Sequence, residues 1–225
     1  MRPQLRRVGT GGHPVVVVDD ATGNAGAVVE IAAALAPFPP AGTHFPGLRR
    51  IVGPGDAAAN GYVDALLERI APLIAGAFDL DRFDLAEASF SLVTARAAAL
   101  APPQRMPHFD AVDPDYLAIL HYLTPAPGSG TAFYRQRATG VERVDEGNRA
   151  RFIAAARRDG GALTGYTNAS NLLFEQTEAV EAAVDRLLIY QGAVLHSGII
   201  PDSLVLSADP RRGRLTANIF VQGRR

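Results

Sequence analysis

The sequence has no cysteine and no lysine among its 225 residues. Without cysteine, the chain can form no disulfide, thiol nucleophile, sulfur-ligated zinc site or iron–sulfur cluster. Without lysine there is no Schiff-base chemistry, and any cationic clamp on an anion must use one of the 22 arginines. The metal chemistry that remains open is that of histidine, aspartate and glutamate.

An excess of charge of one sign is also missing. The chain has 23 acidic and 22 basic residues and a formal net charge of −1, so no overall field favours nucleic acid or an anionic membrane. The apolar run at residues 15–18 is too short for a secretion signal or a membrane span. We therefore expect a cytoplasmic protein with neither nucleic-acid nor membrane partners.

The chain is long enough, and at 48% hydrophobic residues apolar enough, to bury one core. The β-branched run at residues 14–20 predicts a buried strand, and apolar residues at helical spacing predict helices at 25–35 and 56–77. A loop rich in proline and glycine, residues 37–55, separates the two helices. The sequence thus predicts one domain, residues 1–225, with helices in about 23–77 packed on a sheet.

Beyond residue 85, short apolar segments alternate with clusters of proline, glycine and aspartate, which is typical of antiparallel strands. One helix is predicted within this region, at 146–158, and residues 176–188 fit either a helix or a strand. The predicted strands are 85–95, 104–111, 116–123, 131–136, 172–180, 186–190, 193–197, 203–207 and 215–222.

Three side chains form a candidate metal site. His108 and Asp110 are two apart in a predicted strand, so both project from the same face. His196, at the end of a later apolar strand, can supply a third ligand. Two histidines and one carboxylate on one side of an octahedral ion form the facial triad of non-haem iron(II) oxygenases, which leaves the opposite positions for a co-substrate and O2.

A candidate carboxylate site lies in the last predicted strand. Arg214 and Thr216 are two apart, so the guanidinium and the hydroxyl face the same way. Together they suit a carboxylate, because the arginine offers a planar fork of donors and the hydroxyl adds another. A metal face combined with this clamp predicts a pocket for a 2-oxo diacid.

The order of these residues resembles that of the Fe(II)/2-oxoglutarate oxygenases, especially their prolyl-hydroxylase-like branch. Residues 117–124 (LAILHYLT) and 128–133 (GSGTAF) look like the YLN strand and the GGxTxF turn of that branch. The resemblance extends from about residue 104 to 220. It implies a mainly β protein with flanking helices, a double-stranded β-helix of the jelly-roll, cupin-like type.

The resemblance also implies roles. His108, Asp110 and His196 match the metal ligands, Arg214 matches the co-substrate arginine, and Tyr122 is expected to help bind the far carboxylate of 2-oxoglutarate. The implied cofactors are Fe(II), 2-oxoglutarate and O2, with ascorbate as an optional reductant. Since halogenating members have a small residue in place of the aspartate, the resemblance implies hydroxylation or a related oxidation such as desaturation, and we expect hydroxylation.

Two features depart from the family pattern. Arg214 follows His196 by 18 positions, which exceeds the usual separation, and we expect the extra residues to form a longer hairpin that includes the strand at 203–207. If they do not, Arg211 or Arg212 becomes the candidate. Thr124 stands where the family often has asparagine, a change expected to be minor.

Other questions stay open at the level of sequence. Arg135 and Arg137 share a strand face and could meet an acidic group of the substrate, or could simply be solvated. His121 should point away from the pocket if Tyr122 points into it. The substrate could be an amino acid, a peptide or protein, or a small metabolite, with the loops at 37–55 and 139–167 as candidate lids. The alternatives to an oxygenase are a catalytically silent binding module and a cupin-type metal enzyme that does not use 2-oxoglutarate.

Overall fold

Ten strands form two antiparallel sheets in the computed structural model, which describes residues 1–225. The larger sheet has the order β1-β2-β8-β5-β10-β4-β3 and the smaller one β7-β6-β9, where the strands are β1 (Arg2–Val8), β2 (His13–Asp19), β3 (Gly47–Ile51), β4 (Arg82–Val93), β5 (Tyr116–Tyr122), β6 (Gly130–Gln136), β7 (Phe174–Glu181), β8 (Arg186–Gln191), β9 (His196–Ile199) and β10 (Leu215–Arg224). All neighbouring strands pair antiparallel.

Three helices accompany the sheets: α1 (Ala25–Ala34), α2 (Ala57–Phe78) and α3 (Arg149–Asp159). The Asn24 side chain caps α1 by accepting a hydrogen bond from the amide of Ala27 at 3.2 Å. The buried residues of α2 recur at helical spacing and pack with α1 against the outer face of the larger sheet. No helix combines the length and the apolar character needed to cross a bilayer.

The strands of the larger sheet serve two cores because alternate side chains face opposite sides. On β5, Leu117 and Ile119 pack against the helices, whereas Ala118 and Tyr122 face the smaller sheet and contribute to the core between the sheets. Phe133 of β6 is fully buried in that second core. This sandwich of two antiparallel sheets is the architecture that the sequence predicts.

The predicted helices at 25–35, 56–77 and 146–158 are confirmed, as is the strand at 14–20. The ambiguous segment at 176–188 contains no helix: it comprises the end of β7, a connection at 182–185 and the start of β8. Strands β1 and β3 were not predicted. Both lie at sheet edges, and in β1 only Val8 is buried, so neither shows the alternation that marks a half-buried strand.

Two predicted strands are wrong. Residues 203–207 form no strand: the segment pairs with no other strand, and Val205 is 60% exposed. Residues 104–111 are also not a regular strand, since a short 3₁₀ turn at Pro102–Arg105 begins the segment. His108 then pairs only with His196, as an isolated bridge.

Candidate functional site

The backbone brings the two candidate metal histidines together. The amide of His108 donates to the carbonyl oxygen of His196 at 2.9 Å, and the reverse bond has the same length. Their ring centres lie 4.4 Å apart. The amide of Asp110 donates to the carbonyl oxygen of Gly192 at 2.7 Å, which brings this carboxylate beside the two rings.

One ligand atom from each of His108, Asp110 and His196 lies within 4.8 Å of the others. The carboxylate oxygens of Asp110 are 3.8 Å from Nε2 of His108 and 3.6 Å from Nε2 of His196. Two imidazole nitrogens and one carboxylate oxygen are a donor set that suits Fe(II) and related divalent ions. These residues therefore fit a metal ion on chemical grounds.

Hydrogen bonding and burial prepare His196 for coordination. Its Nδ1 donates to the carbonyl oxygen of Val194 at 2.9 Å, which leaves the lone pair of Nε2 directed at the site. Burial lowers the pKa of His196 to about 4, and only 7% of its side chain is exposed. The ring is therefore neutral at pH 7, the state that binds a metal.

The pKa values of the other two candidate ligands are also shifted. Burial, followed by the charge of His196, lowers the pKa of His108 to about 4. The His108 side chain is the more exposed of the two, with 57% of it facing solvent. Burial raises the pKa of Asp110, against the opposing charges of His108 and Arg49.

The close approach of Asp110 leaves no room for a side chain at Gly192. A Cβ added to Gly192 would lie 3.1 Å from Cβ of Asp110 and 3.1 Å from Cδ1 of Tyr116. These are closer than ordinary van der Waals contacts, so a side chain here would push the carboxylate aside. Glycine thus allows the turn between β8 and β9 to approach the metal site.

The three candidate ligands open into a cavity of about 480 Å³, whose wall also includes Arg214 and Thr216. Residues from both loops predicted as lids contribute to its mouth: His44 and Phe45 from the loop before β3, and Tyr166 from the segment after α3. The cavity is therefore lined by residues of both sheets and of these segments.

Arg214 is a buried cation without an acidic partner. Only 5% of the residue is exposed, and its donors face neutral groups: Nε donates to Oγ of Ser129 and Nη2 to the carbonyl oxygen of Gly130, both at 3.2 Å. Its guanidinium carbon lies 5.4 Å from the ring centre of Tyr122. Because a buried charge is costly unless it is paired, this arrangement favours an anion in the cavity.

The segment before β10 holds Arg214 in this position. Thr124 Oγ1 donates to the carbonyl oxygen of Gly213 at 2.7 Å and accepts from the amide of Leu215 at 2.9 Å. The alternative candidate Arg211 lies at the surface, where it pairs with Glu30 of α1. The longer connection from His196 therefore carries Arg211 out to solvent and Arg214 into the cavity wall.

Tyr122 and Thr131 form a buried pair beside Arg214. The Tyr122 hydroxyl lies 2.7 Å from Oγ1 of Thr131, and Thr131, not Tyr122, lines the cavity. Sequence reasoning did not select Thr131, although the GSGTAF turn contained it. Thr216 lines the cavity as expected, and its hydroxyl accepts a weak hydrogen bond of 3.4 Å from Asn218.

The predicted substrate residues are not brought to this cavity. Arg135 and Arg137 lie in and just after β6, and both pair with Glu175, at 2.6 and 3.6 Å. Neither belongs to the cavity wall. Their pairing across the smaller sheet instead stabilises the β6–β7 contact at the surface.

His121 faces the opposite side of β5, as strand alternation predicts. It is fully buried, with Nδ1 2.8 Å from the Tyr62 hydroxyl and Nε2 2.9 Å from Oδ1 of Asp185. Asp185 also accepts hydrogen bonds from Thr22 and Gly23. This network connects α2, the larger sheet and the turn before α1, and has no route to the cavity.

Comparison with known proteins gives a family and a fold. The model of a family of unknown function (DUF6445) matches residues 1–221. No curated protein matches.

Several solved structures have the same fold. The non-heme alpha ketoglutarate dependent epimerase SnoN from nogalamycin biosynthesis is 14% identical, with a TM-score of 0.56 over 93% of this chain and 78% of its own. A Pseudomonas putida prolyl-4-hydroxylase is 15% identical, with a TM-score of 0.51 over 96% and 95%. HygX from Streptomyces hygroscopicus, with nickel, 2-oxoglutarate and hygromycin B bound, is 13% identical, with a TM-score of 0.52 over 93% and 82%. The chain thus has the double-stranded β-helix fold of 2-oxoglutarate/Fe(II) oxygenases.

Proposed function

The chain belongs to this family of unknown function, and we propose that it is a non-haem Fe(II)- and 2-oxoglutarate-dependent oxygenase that hydroxylates a small-molecule or peptide substrate. One observation carries the proposal. His108, Asp110 and His196 converge within 4.8 Å on a cavity whose wall also contains the unpaired, buried Arg214. A divalent cation and a dianionic co-substrate would satisfy both ends of this cavity.

The roles of the chain's residues follow from their contacts. His108, Asp110 and His196 would hold the metal, with the tautomer of His196 fixed by Val194. Arg214 would bind the far carboxylate of 2-oxoglutarate, aided by the hydroxyl of Thr216. When bound, Fe(II) and 2-oxoglutarate supply the oxidising chemistry with O2.

Some residues around Arg214 would contact the co-substrate, and others would only position the residues that do. Thr131 reaches the cavity and Tyr122 fixes its hydroxyl, so we assign Tyr122 a positioning role beneath Arg214. The Tyr190 ring lies edge-on to His196 with centres 4.8 Å apart and lines the cavity. Such aromatic walls orient the ligands and exclude bulk water from the reacting groups.

The fold neighbours support the general reaction class, and their printed activities differ. One is an epimerase and another a prolyl-4-hydroxylase, so the fold alone does not select the outcome. We propose hydroxylation because Asp110 occupies the carboxylate position that halogenating enzymes lack. The structure of HygX with 2-oxoglutarate and nickel bound supports the choice of co-substrate and of a divalent metal.

Anaerobic titration tests the proposal. Fe(II) and 2-oxoglutarate should bind together and give a weak visible charge-transfer band, and admission of air should yield succinate. Metal binding without co-substrate binding would indicate the cupin-type alternative. Binding of neither would leave a silent module with this fold.

Arg214→Ala separates the co-substrate site from the metal site. Loss of a charge-assisted hydrogen bond should weaken 2-oxoglutarate binding by about tenfold or more, while metal affinity is retained. Arg211→Ala is the matched control, since this arginine pairs with Glu30 at the surface, and should change neither affinity. Equal loss of metal and co-substrate binding in the Arg214 variant would mean that the residue is structural.

A further inference from the structure

One arginine of the cavity wall is held rigidly but keeps a free donor. Nε of Arg49 donates to Oγ of Ser89 at 2.9 Å, and Nη2 donates to the Glu87 carboxylate at 2.6 Å. The guanidinium carbon lies 5.8 Å from the ring centre of Phe220. Nη1 has no hydrogen-bond partner in the chain, so it is a positioned donor available to a ligand.

The charge of the cavity wall is unbalanced. The wall contains three arginines, Arg49, Arg105 and Arg214, whereas its only carboxylate is Asp110. Arg105 donates to the carbonyl oxygens of Leu100 and Leu163 and has no acidic partner. It therefore adds a fixed positive charge to the same cavity.

The proposed cofactors leave this imbalance in place. The two charges of Fe(II) and that of Arg214 are cancelled by Asp110 and the two carboxylates of 2-oxoglutarate. Arg105 remains without an acidic partner, whereas the charge of Arg49 is balanced by Glu87, which lies outside the cavity wall. The space left for a substrate is therefore bordered by the positive charge of Arg105 and by the free Nη1 donor of Arg49.

Neutral polar groups lie beside Arg49 on the same face of the larger sheet. Ser91 of β4 is opposite Arg49 of β3 in the strand register, and its hydroxyl accepts a 2.9 Å hydrogen bond from Nδ2 of Asn218. All three residues line the cavity. This corner of the cavity thus offers one cationic donor flanked by a hydroxyl and an amide.

We propose that Arg49 anchors a carboxylate of the substrate, with Ser91 and Asn218 as neutral hydrogen-bonding partners. The inference rests on the proposed function, because the cavity is then shared with 2-oxoglutarate. It names the substrate class: a small molecule, or a peptide end, that carries a carboxylate. The planar guanidinium suits a carboxylate, because Nη1 can donate to it while Nε and Nη2 keep the hydrogen bonds to Ser89 and Glu87 that fix the direction of Nη1.

The test uses Co(II) in place of Fe(II), with saturating 2-oxoglutarate, and benzoate and benzamide as a matched pair of probes. Broadening of the probe's proton NMR signals by Co(II) reports binding near the metal without turnover. Benzoate should be broadened and benzamide should not. In Arg49→Gln the affinity for benzoate should fall by about tenfold or more. Arg50→Gln is the control, because Arg50 pairs with Asp56 at 2.9 Å and lies outside the cavity wall.

The outcomes separate this inference from the proposed function. If the visible spectrum shows no joint binding of Co(II) and 2-oxoglutarate to the wild-type protein, the proposed function fails. If both bind but benzoate and benzamide behave alike, or Arg49→Gln has no more effect than Arg50→Gln, the Arg49 inference alone is overturned.

A second variant keeps the test decisive if Arg49→Gln does not fold. Glu87→Gln removes the competing negative charge but keeps an oxygen that can accept from Arg49. Benzoate should then bind more tightly, by a few fold, with benzamide unchanged. Unchanged or weaker benzoate binding would overturn the inference.

Discussion

His108 and His196 form a reciprocal backbone pair, each amide donating to the carbonyl oxygen of the other at 2.9 Å. The two imidazoles are therefore held side by side by backbone hydrogen bonds between their own residues. The protein has the arrangement of a preorganised site, in which little reordering is needed when a ligand binds.

Removing one imidazole should abolish tight metal binding. His196→Ala deletes one of the three converging donors. Mutating a group that only orients a metal ligand already lowers metal affinity by up to about 100-fold, so we expect Co(II) affinity to fall by at least about 100-fold when the ligand itself is lost. Visible absorption titration measures it. His44→Ala is the control, since His44 lines the cavity mouth but lies outside the converging donor set. Similar losses in both variants would contradict the assignment.

Gly192→Ala should weaken metal binding without touching a ligand. Its Cβ would press on Asp110 at 3.1 Å and shift the carboxylate, so Co(II) affinity should fall by about tenfold. Gly61→Ala, in an open position of α2, should leave metal affinity unchanged and raise the free energy of unfolding by about 0.5–1 kcal/mol. An unaltered Co(II) affinity in Gly192→Ala would show that the glycine does not govern the position of Asp110.

Thr131→Val and Tyr122→Phe should differ in their effect on the affinity for 2-oxoglutarate. Thr131 lines the cavity, whereas the Tyr122 hydroxyl is occupied by Thr131. Loss of a neutral hydrogen bond to the co-substrate should weaken its binding about fivefold in Thr131→Val. The effect of Tyr122→Phe should be smaller. A larger effect in Tyr122→Phe, measured by anaerobic titration, would instead indicate direct contact of the tyrosine with 2-oxoglutarate.

Asp185 should make stability depend on pH. Burial disfavours its charge, but hydrogen bonds from His121, Thr22 and Gly23 outweigh burial and hold the pKa of Asp185 well below its ordinary value. Because the folded-state pKa is depressed, the contribution to stability is fully present above the unfolded pKa of about 3.9 and is lost as pH falls towards the folded pKa.

Asp185→Asn tests this contribution. Asparagine tolerates the positive φ of 62° found here, so the change removes the charge and leaves the backbone conformation accessible. The free energy of unfolding should fall by about 2 kcal/mol or more at pH 7, and the difference from wild type should shrink below about pH 4. Asp202→Asn, at an exposed position, is the control. A difference that persists unchanged at pH 3 would exclude the carboxylate charge as its source.

Local patterns were sufficient for much of the fold. The helical spacing of apolar residues in α2 and the apolar run in β2 are patterns within a short stretch of sequence. Each indicates which side chains face a core, so both elements could be predicted. Edge strands escaped prediction, since β1 buries only Val8. Residues 203–207 were wrongly predicted as a strand because their apolar sequence gave no information on whether a partner strand was present.

The candidate site was predictable only in part. The order of His108, Asp110, His196 and Arg214 along the chain indicated a ligand set, because those residue types limit the chemistry. The reason that His108 and Asp110 lie together is different from the one predicted, since they lie in an irregular segment fixed by single contacts to His196 and Gly192. Arg49 lies in a segment predicted as a loop, and nothing in the sequence indicated that it would line the cavity.

The sequence by itself determined which chemistry is open to this protein, through the absence of cysteine and lysine and through the order of His108, Asp110 and His196 along the chain. Only the tertiary structure decided which side chains share a cavity. It put Thr131 at the cavity wall and Tyr122 behind it, and carried Arg211 to the surface and Arg214 inside. The physical reason is that these choices depend on strand register and on hydrogen bonds between residues far apart in sequence, which no local pattern encodes.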